Sequence, residues 1–227
     1  MLSDLPILSG ALPPDEIRSL VRNEHPVLLD IGANCGQTTA AMLRSMPGAT
    51  IHAFEPDPRA IAKFKRNIQP HPSVHLYECA LGAVNGTTVF YQSSGAEHHP
   101  DYPEGWDQSG SIRPPHTHLR VWPWVQFKQQ IQVSVMTLDS WAEHQNLPLI
   151  DFIWADVQGA EGDLITGGSR TLSKVKYLYT EYSNDEWYNG QVTLAQLSAM
   201  LPGFKLIRRY AIDALFENSM LVTSGGA

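Results

Sequence analysis

Residues 27–36, with the sequence VLLDIGANCG, constrain the fold more than any other part of the chain. An apolar run ends at Asp30, and it is followed by Gly32, Gly36 and then a series of helix-forming residues. This order is typical of the strand, tight turn and helix start of a nucleotide-binding α/β unit. Glycine at both positions predicts a backbone that passes close to a ligand, because a Cβ would occupy that space.

The spacing of the acid and the glycines indicates the class of cofactor. Dinucleotide folds carry G-x-G-x-x-G, which places a pyrophosphate on a helix N-terminus. This chain reads D-x-G-x-x-x-G instead, with Asp30 ahead of the first glycine. A carboxylate there would repel a pyrophosphate but suits the cationic methionine portion of S-adenosylmethionine. We therefore expect S-adenosylmethionine as the cofactor, and an NAD-type dehydrogenase is the disfavoured alternative.

Length, charge and hydropathy limit the remaining possibilities. The 227 residues, 43% of them hydrophobic, predict one domain over residues 1–227, which begins with a helical segment at 1–26. The net charge of -7 disfavours nucleic acid as a partner. The chain has no basic leader and no membrane-length apolar run, so we expect a soluble cytoplasmic protein without a membrane partner. The sequence does not define an oligomeric state.

A second acid lies at the end of the next predicted strand. Residues 50–56, TIHAFEP, form a strand pattern that closes on Glu55 and Pro56. Ligands of doubly wound sheets lie beyond the carboxyl ends of the strands, where a carboxylate can accept hydrogen bonds from both ribose hydroxyls. We expect this role for Glu55. The loop after the third strand, at residues 78–81, would lie over the adenine and includes Ala80.

The whole pattern predicts an α/β protein with a doubly wound, mostly parallel Rossmann-like sheet of about seven strands. One strand near the end of the chain is expected to be antiparallel, and an irregular insert is expected after the third strand. The predicted strands of this sheet cover residues 27–30, 50–56, 74–82, 150–156, 176–183, 204–210 and 215–223.

The insert, residues 93–123, follows no regular period and is dense in Pro, Gly, His and aromatic residues. Such a stretch in a compact domain is typical of a functional loop, here a lid or substrate loop. Its rings, together with those after the fifth strand, suit the C–H faces of sugars, although a lid that packs on the domain is an equal alternative. Trp141 and Trp154 are assigned to the core. The predicted substrate residues are Trp106, Trp122, Trp124, Glu181, Trp187 and Tyr188.

Residues 150–168, IDFIWADVQGAEGDLITGG, add a third motif, a strand that ends at Asp156 before a tight turn and a helix. Together with DIGANCG, FEP and MTLDSW, in this order, it resembles the FkbM family of S-adenosylmethionine-dependent methyltransferases over residues 27–222. The resemblance implies a class I methyltransferase fold and O-methylation of sugars, glycans or glycosylated and macrolide-type natural products. The predicted cofactor residues are Asp30, Gly32, Ala33, Asn34, Gly36, Glu55, Pro56, Ala80 and Asp156.

The third motif also departs from the family pattern. Where the family shows Lys-Ile-Asp-Val-Glu-Gly-Ala-Glu, this chain has Trp154 in place of the lysine and Gln158 in place of the first glutamate. The loss of these two charged residues keeps open a non-catalytic, S-adenosylmethionine-binding module.

Methyl transfer to an aliphatic hydroxyl requires help with the acceptor proton, from a base or a metal. Asp156 and Glu161 are the predicted acids beside the reacting centre. The insert histidines are the other candidates, because their unperturbed pKa lies near neutrality; they are His98, His99, His116 and His118. A Mg²⁺ site is the alternative, and its predicted ligands are Asp156, Glu181 and either Asn184 or Asp185.

Overall fold

The computed structural model describes residues 5–96, 102, 105–145 and 147–222. The strands are β1 Ile7–Leu8, β2 Val27–Ile31, β3 Thr50–Phe54, β4 Val74–Tyr77, β5 Ala80–Leu81, β6 Gly86–Ser94, β7 Gln126–Met136, β8 Ile150–Ala155, β9 Val175–Glu181, β10 Phe204–Tyr210 and β11 Asp213–Asn218. The helices are α1 Pro14–Val21, α2 Gln37–Ser45, α3 Pro58–Asn67, α4 His118–Val121, α5 Leu138–Gln145, α6 Glu161–Gly167, α7 Leu194–Met200 and a 3₁₀ turn, Thr171–Lys174.

Eight strands form the central sheet in the order β1-β10-β11-β9-β8-β2-β3-β4. All neighbours are parallel except β11, which is antiparallel to both β9 and β10. The predicted seven-stranded, doubly wound sheet with one antiparallel strand near the end is therefore confirmed. An eighth strand, β1, has two residues and pairs in parallel with β10, so the N-terminal segment contributes a strand as well as helix α1.

A second sheet, β5-β7-β6, lies outside the prediction. Residues 74–82 were expected to form one strand, but they divide between β4 in the central sheet and β5 in the second sheet. A tight turn separates them, since the backbone N–H of Cys79 bonds to the carbonyl of Tyr77. The insert therefore connects β6 to β7 of the second sheet and does not directly follow the third central strand.

The strands of the central sheet are apolar because helices and loops cover both of its faces. Leu28, Leu29 and Ile153 are fully buried at its centre. Trp141 packs edge-on against Phe54 with ring centroids 5.3 Å apart, as expected for a core residue. Within the described ranges, no helix is long and apolar enough to cross a membrane.

Candidate active site

A cavity of about 610 Å³ opens at the carboxyl ends of β2, β3 and β8. This is the edge at which doubly wound sheets hold their ligands, because the loops after parallel strands meet there. Two predicted cofactor residues, Asp30 and Gly36, do not line the cavity. Those that do line it are Gly32, Ala33, Asn34, Glu55, Pro56, Ala80 and Asp156.

Gly32 brings the loop after β2 against the loop after β8. Its φ is 84°, and a Cβ there would lie 1.8 Å from the backbone oxygen of Asp156. The backbone N–H of Asp156 also donates to the carbonyl of Ile31 at 2.9 Å. Glycine is therefore required by the approach of protein backbone, whereas the sequence analysis attributed it to the approach of a ligand.

Glycine is needed at position 36 for a different reason, the approach of side chains. Its φ is 86°, and a Cβ would lie 2.8 Å from the Ile68 side chain and 3.0 Å from the Phe64 ring. Gly36 thus permits helix α3 to pack against the start of α2. The prediction that it clears space for the cofactor is not supported by this position.

Asp30 is 1% exposed and lies beneath the loop. Its Oδ2 accepts a hydrogen bond from Thr39 Oγ1 at 2.5 Å, which fixes the first turn of α2. Burial raises the pKa of Asp30 to about 6. Because Asp30 does not line the cavity, its predicted direct contact with the methionine portion is not supported, and we assign it the role of shaping the loop.

Glu55 joins the two cofactor loops. Its Oε2 accepts the backbone N–H of Asn34 and its Oε1 accepts that of Asp57, both at 2.8 Å. Burial raises the pKa of Glu55 to about 8, and the two N–H donors act in the opposite direction. Each carboxylate oxygen keeps a second lone pair for another donor. This arrangement suits the predicted hydrogen bonds to ribose hydroxyls.

Asp156 and Glu181 form a buried acid pair that one amide bridges. Gln158 Nε2 donates to Asp156 Oδ1 at 2.6 Å and to Glu181 Oε2 at 3.0 Å. Burial raises the pKa of both acids, and the charge of Asp156 raises that of Glu181 further. Two carboxylates this close hold a proton between them.

Glu161 does not line the cavity. It is 1% exposed at the start of α6, where its Oε1 accepts the backbone N–H of Gly159 at 3.2 Å. Burial raises its pKa to about 7. The predicted catalytic role of Glu161 is therefore not supported, because its side chain bonds to the backbone of the turn that precedes α6.

The two described insert histidines have opposite environments. His118 lines the cavity, with its ring centroid 4.7 Å from that of Trp122, and burial lowers its pKa to about 4. It is therefore neutral at pH 7. His116 is exposed outside the cavity, and its Nδ1 lies 3.2 Å from the carbonyl of Glu186, so its predicted catalytic role is not supported. His98 and His99 lie outside the described residues.

Aromatic rings form much of the cavity wall. Trp106 and Trp124 meet edge-on with centroids 5.1 Å apart, and Trp122 and Trp187 meet in the same way at 4.9 Å. All four line the cavity, and their contact with the substrate stays a prediction. Tyr188 is 1% exposed and lies behind this wall.

Two further rings, Tyr102 of the insert and Trp154 of β8, also line the cavity. Trp154 was assigned to the core because it lies within a strand pattern. It packs on Tyr179 with centroids 4.3 Å apart, yet it is also half-buried at the cavity. Its place near the carboxyl end of β8 is the signal that would have identified it.

Hydrogen bonds attach the described part of the insert to the domain. Asn34 Nδ2 donates to the carbonyl of Asp107 at 3.1 Å, and Ser111 Oγ donates to the carbonyl of Gln158 at 2.7 Å. Arg113 makes a bidentate pair with Asp163 on α6, at 2.7 and 2.6 Å. These contacts make the insert a wall of the cavity and attach it to the loops after β2 and β8 and to α6.

The predicted magnesium ligands do not form a suitable site. Asn184 and Asp185 are exposed and do not line the cavity. Between Asp156 and Glu181 lies the amide nitrogen of Gln158, a donor, whereas Mg²⁺ requires oxygen acceptors. The described ranges contain no group of three or more His, Cys, Asp or Glu that could hold a metal ion. We therefore assign no step to a metal.

The strand order and the position of the cavity define a class I S-adenosylmethionine-dependent methyltransferase. The chain belongs to the FkbM methyltransferase family, because the family model described as "Methyltransferase FkbM domain" matches residues 30–216. It is 42% identical over 210 residues to the 2-O-methyltransferase NoeI of Sinorhizobium fredii (strain NBRC 101917 / NGR234), covering 91% of this chain and 85% of that protein. It is 30% identical to Methyltransferase 1 of Beauveria bassiana (strain ARSEF 2860), covering 62% of this chain and 57% of that protein.

The fold is also that of a solved family member. The crystal structure of methyltransferase FkbM from Methylobacillus flagellatus KT aligns with a TM-score of 0.55 at 13% identity, covering 91% of this chain and 48% of that one. The prediction of an S-adenosylmethionine-dependent O-methyltransferase is thus confirmed by family and relatives. Membership of an enzyme family disfavours both alternatives, the dehydrogenase and the non-catalytic module.

The buried acids predict a loss of stability at alkaline pH. Glu55 and Glu161 have pKa values raised from 4.5 to about 8 and about 7, so their contribution is complete below pH 4.5 and is lost as the pH rises through those values. The pKa of His118 is lowered from 6.5 to about 4, so this histidine reduces the stability of the fold only below pH 6.5. The melting temperature of the cofactor-free protein should therefore fall by about 3 °C or more between pH 6.5 and 8.

Calorimetric melting over this range checks the prediction. Glu55→Gln should flatten the alkaline part of the curve, whereas the exposed Glu78→Gln should leave it unchanged. A melting temperature that rises between pH 6.5 and 8 would contradict the assigned direction of the pKa shifts.

Proposed function

We propose that the protein methylates a hydroxyl group of a sugar, a glycan or a glycosylated small molecule. The observation that carries this proposal is the set of tryptophan rings that line the same cavity as Asp156. Flat aromatic faces stack on the C–H faces of sugar rings, while the neighbouring acids accept hydrogen bonds from hydroxyls. The 2-O-methyltransferase activity in the name of the 42% identical relative supports the same reading.

The cofactor is proposed to lie across the loops after β2, β3 and β4, the last of which leads into Ala80 at the start of β5. Gly32, Ala33 and Asn34 would contact its methionine portion, Glu55 and Pro56 its ribose, and Ala80 its adenine; all six line the cavity. Bound in this way, it supplies a methyl group on a sulfonium, which departs as a neutral thioether.

We assign the role of general base to Asp156. The acceptor oxygen forms a bond to the methyl carbon as the carbon–sulfur bond breaks, and the hydroxyl proton passes to the base. Asp156 lies next to Gly32 on the cofactor side of the cavity, and burial raises its pKa toward the range in which a base is effective. His118 is a weaker candidate, because burial lowers its pKa to about 4.

Glu55→Ala should weaken binding of S-adenosylmethionine by about 1–3 kcal/mol, through loss of hydrogen bonds to the ribose hydroxyls. The substitution also leaves the N–H groups of Asn34 and Asp57 without their acceptors, so Glu55→Gln provides a milder variant. Isothermal titration calorimetry measures both. Glu78→Gln, which changes an exposed glutamate on the same side of the domain, is the control. Wild-type affinity in a folded Glu55→Ala protein would remove the ribose assignment.

The acceptor class can be tested with a panel of sugars and glycosides and a methyl-labelled cofactor. Trp106→Ala should raise KM for an accepted sugar by about 10-fold or more, because the loss of a ring that stacks on the sugar costs about 1–2 kcal/mol of binding free energy. Leu119→Ala, at an exposed position of the insert that does not line the cavity, should leave KM unchanged. Labelling of non-sugar alcohols alone, with no sugar labelled, would contradict the proposed acceptor.

A further inference from the structure

Gln158 occupies a strained position between β8 and α6. Its φ is 52°, in the left-handed region that residues other than glycine rarely adopt. The turn is fitted closely to Tyr188, because a Cβ on Gly159 would lie 2.7 Å from the Tyr188 Cβ. Strain of this kind persists where the surrounding structure holds it, and it is concentrated at functional sites.

The Gln158 side chain uses both ends of its amide. The two Nε2 hydrogens meet Asp156 Oδ1 and Glu181 Oε2, and Oε1 lies 2.9 Å from the Tyr188 hydroxyl. A reversed amide would set its oxygen against two carboxyl oxygens, which is unfavourable unless both acids are protonated. The chemistry of the neighbours therefore defines the orientation.

A glutamate at this position, as in the family pattern, would have neither of these N–H donors. It would place a third carboxylate within about 3 Å of the other two acids, a distance set by the Gln158 contacts. Glutamine instead keeps the group to two acids and provides a fixed donor between them. Glutamine in place of the family's glutamate thus changes the charge and the geometry beside Asp156 and Glu181.

Gln158 also contacts the insert. Its backbone carbonyl accepts a hydrogen bond from Ser111 Oγ at 2.7 Å. The Tyr188 hydroxyl that faces its amide lies 2.9 Å from the carbonyl of Ser109 as well. One residue therefore touches the acid pair on one side and the cavity wall formed by the insert on the other.

We propose that Gln158 is a positioning residue that holds Asp156 and Glu181 in one arrangement and couples this arrangement to the insert through Tyr188. The proposal deepens the proposed function, on which it rests for the role of Asp156. Glu161 on α6 and Asp213 on β11 are the further acids that act on Glu181. The Gln158 amide carries no charge and does not shield the pair from Glu161 or Asp213. Its contribution to the arrangement of Asp156 and Glu181 is therefore geometric.

The test combines Gln158→Met, which keeps the size but removes the amide, with Tyr188→Phe. Each should lower kcat by about 10-fold, with the affinity for S-adenosylhomocysteine within about 3-fold of wild type. The double variant should be no slower than Gln158→Met, because Tyr188 acts through the amide. Multiplicative effects, near 100-fold in the double variant, would overturn the proposed coupling.

Gln158→Glu provides a second readout that needs no acceptor. The variant has a third buried acid, and burial raises the pKa of that acid. The melting temperature of Gln158→Glu should therefore fall more steeply than that of wild type as the pH rises from 5 to 8. Gln129→Glu makes the same change at an exposed position of β7 and should show no such slope. Equal slopes in the two variants would overturn the placement of Gln158 between the acids.

The two readouts separate this inference from the proposed function. If the wild type methylates no sugar, the proposed acceptor is wrong. The role of Gln158 is then still decided by two melting-temperature measurements, the pH slope of Gln158→Glu and the coupling between Gln158→Met and Tyr188→Phe. Non-additive melting temperatures support it, and additive ones contradict it.

Discussion

Asp156→Asn should lower kcat by about 10³-fold, the middle of the range for loss of a general base. Asparagine keeps the shape of the side chain and an oxygen that can accept from Gln158, so the affinity for S-adenosylmethionine should stay within about 5-fold of wild type. Steady-state kinetics with an accepted sugar and calorimetry with the cofactor measure the two quantities. A split between kcat and affinity is the signature of a group that acts on the acceptor proton.

Asp185→Asn is the matched control for this variant. Asp185 follows the end of β9, is exposed and does not line the cavity, so turnover should be unchanged. It also tests the magnesium hypothesis, in which Asp185 was a predicted ligand. Near-normal turnover by Asp156→Asn would move the base to His118, whose imidazole lines the cavity and is neutral at pH 7.

Gly32→Ala should lower the free energy of unfolding by about 3–4 kcal/mol and reduce cofactor affinity by at least about 100-fold. The added Cβ would lie 1.8 Å from the Asp156 carbonyl oxygen, so the loops after β2 and β8 must separate. Denaturant titration and calorimetry check the two effects.

Gly10→Ala isolates the conformational part of that cost. Gly10 has a similar φ of 73°, but no atom lies within 4 Å of the position of its Cβ. Its substitution should cost only about 1 kcal/mol and leave cofactor binding intact. Equal effects of the two substitutions would show that the approach of Gly32 to Asp156 is unimportant.

Several residues that line the cavity could be located from the sequence because their signals are local. An acid or glycine placed directly after an apolar strand, as with Gly32, Glu55 and Asp156, can be located from the strand alone, since parallel strands present their carboxyl ends at one edge. The single antiparallel strand near the end of the chain was expected because the resemblance to the family implied it.

What the sequence did not predict depends on contacts between distant residues. The bridge from Asp156 through Gln158 to Glu181 spans separate strands, and Gln158 was considered only as a lost charge. Asp30 and Glu161 have the right residue type, but burial and their partners turn them away from the cavity. The second sheet was not predicted as a unit because it pairs Ala80 and Leu81 of β5 with Val135 and Met136 of β7, residues that are far apart in the chain.

The most direct test of the central claim is to follow the methyl group itself. Wild-type protein is incubated with S-adenosylmethionine labelled with ¹³C on its methyl carbon and a sugar acceptor, and the product is analysed by ¹³C NMR with through-bond correlation. The account predicts a methoxyl signal correlated to a single ring carbon of the sugar, and almost no such signal from Asp156→Asn. A label found on nitrogen or carbon of the acceptor, or a methoxyl signal of equal intensity from both proteins, would contradict it.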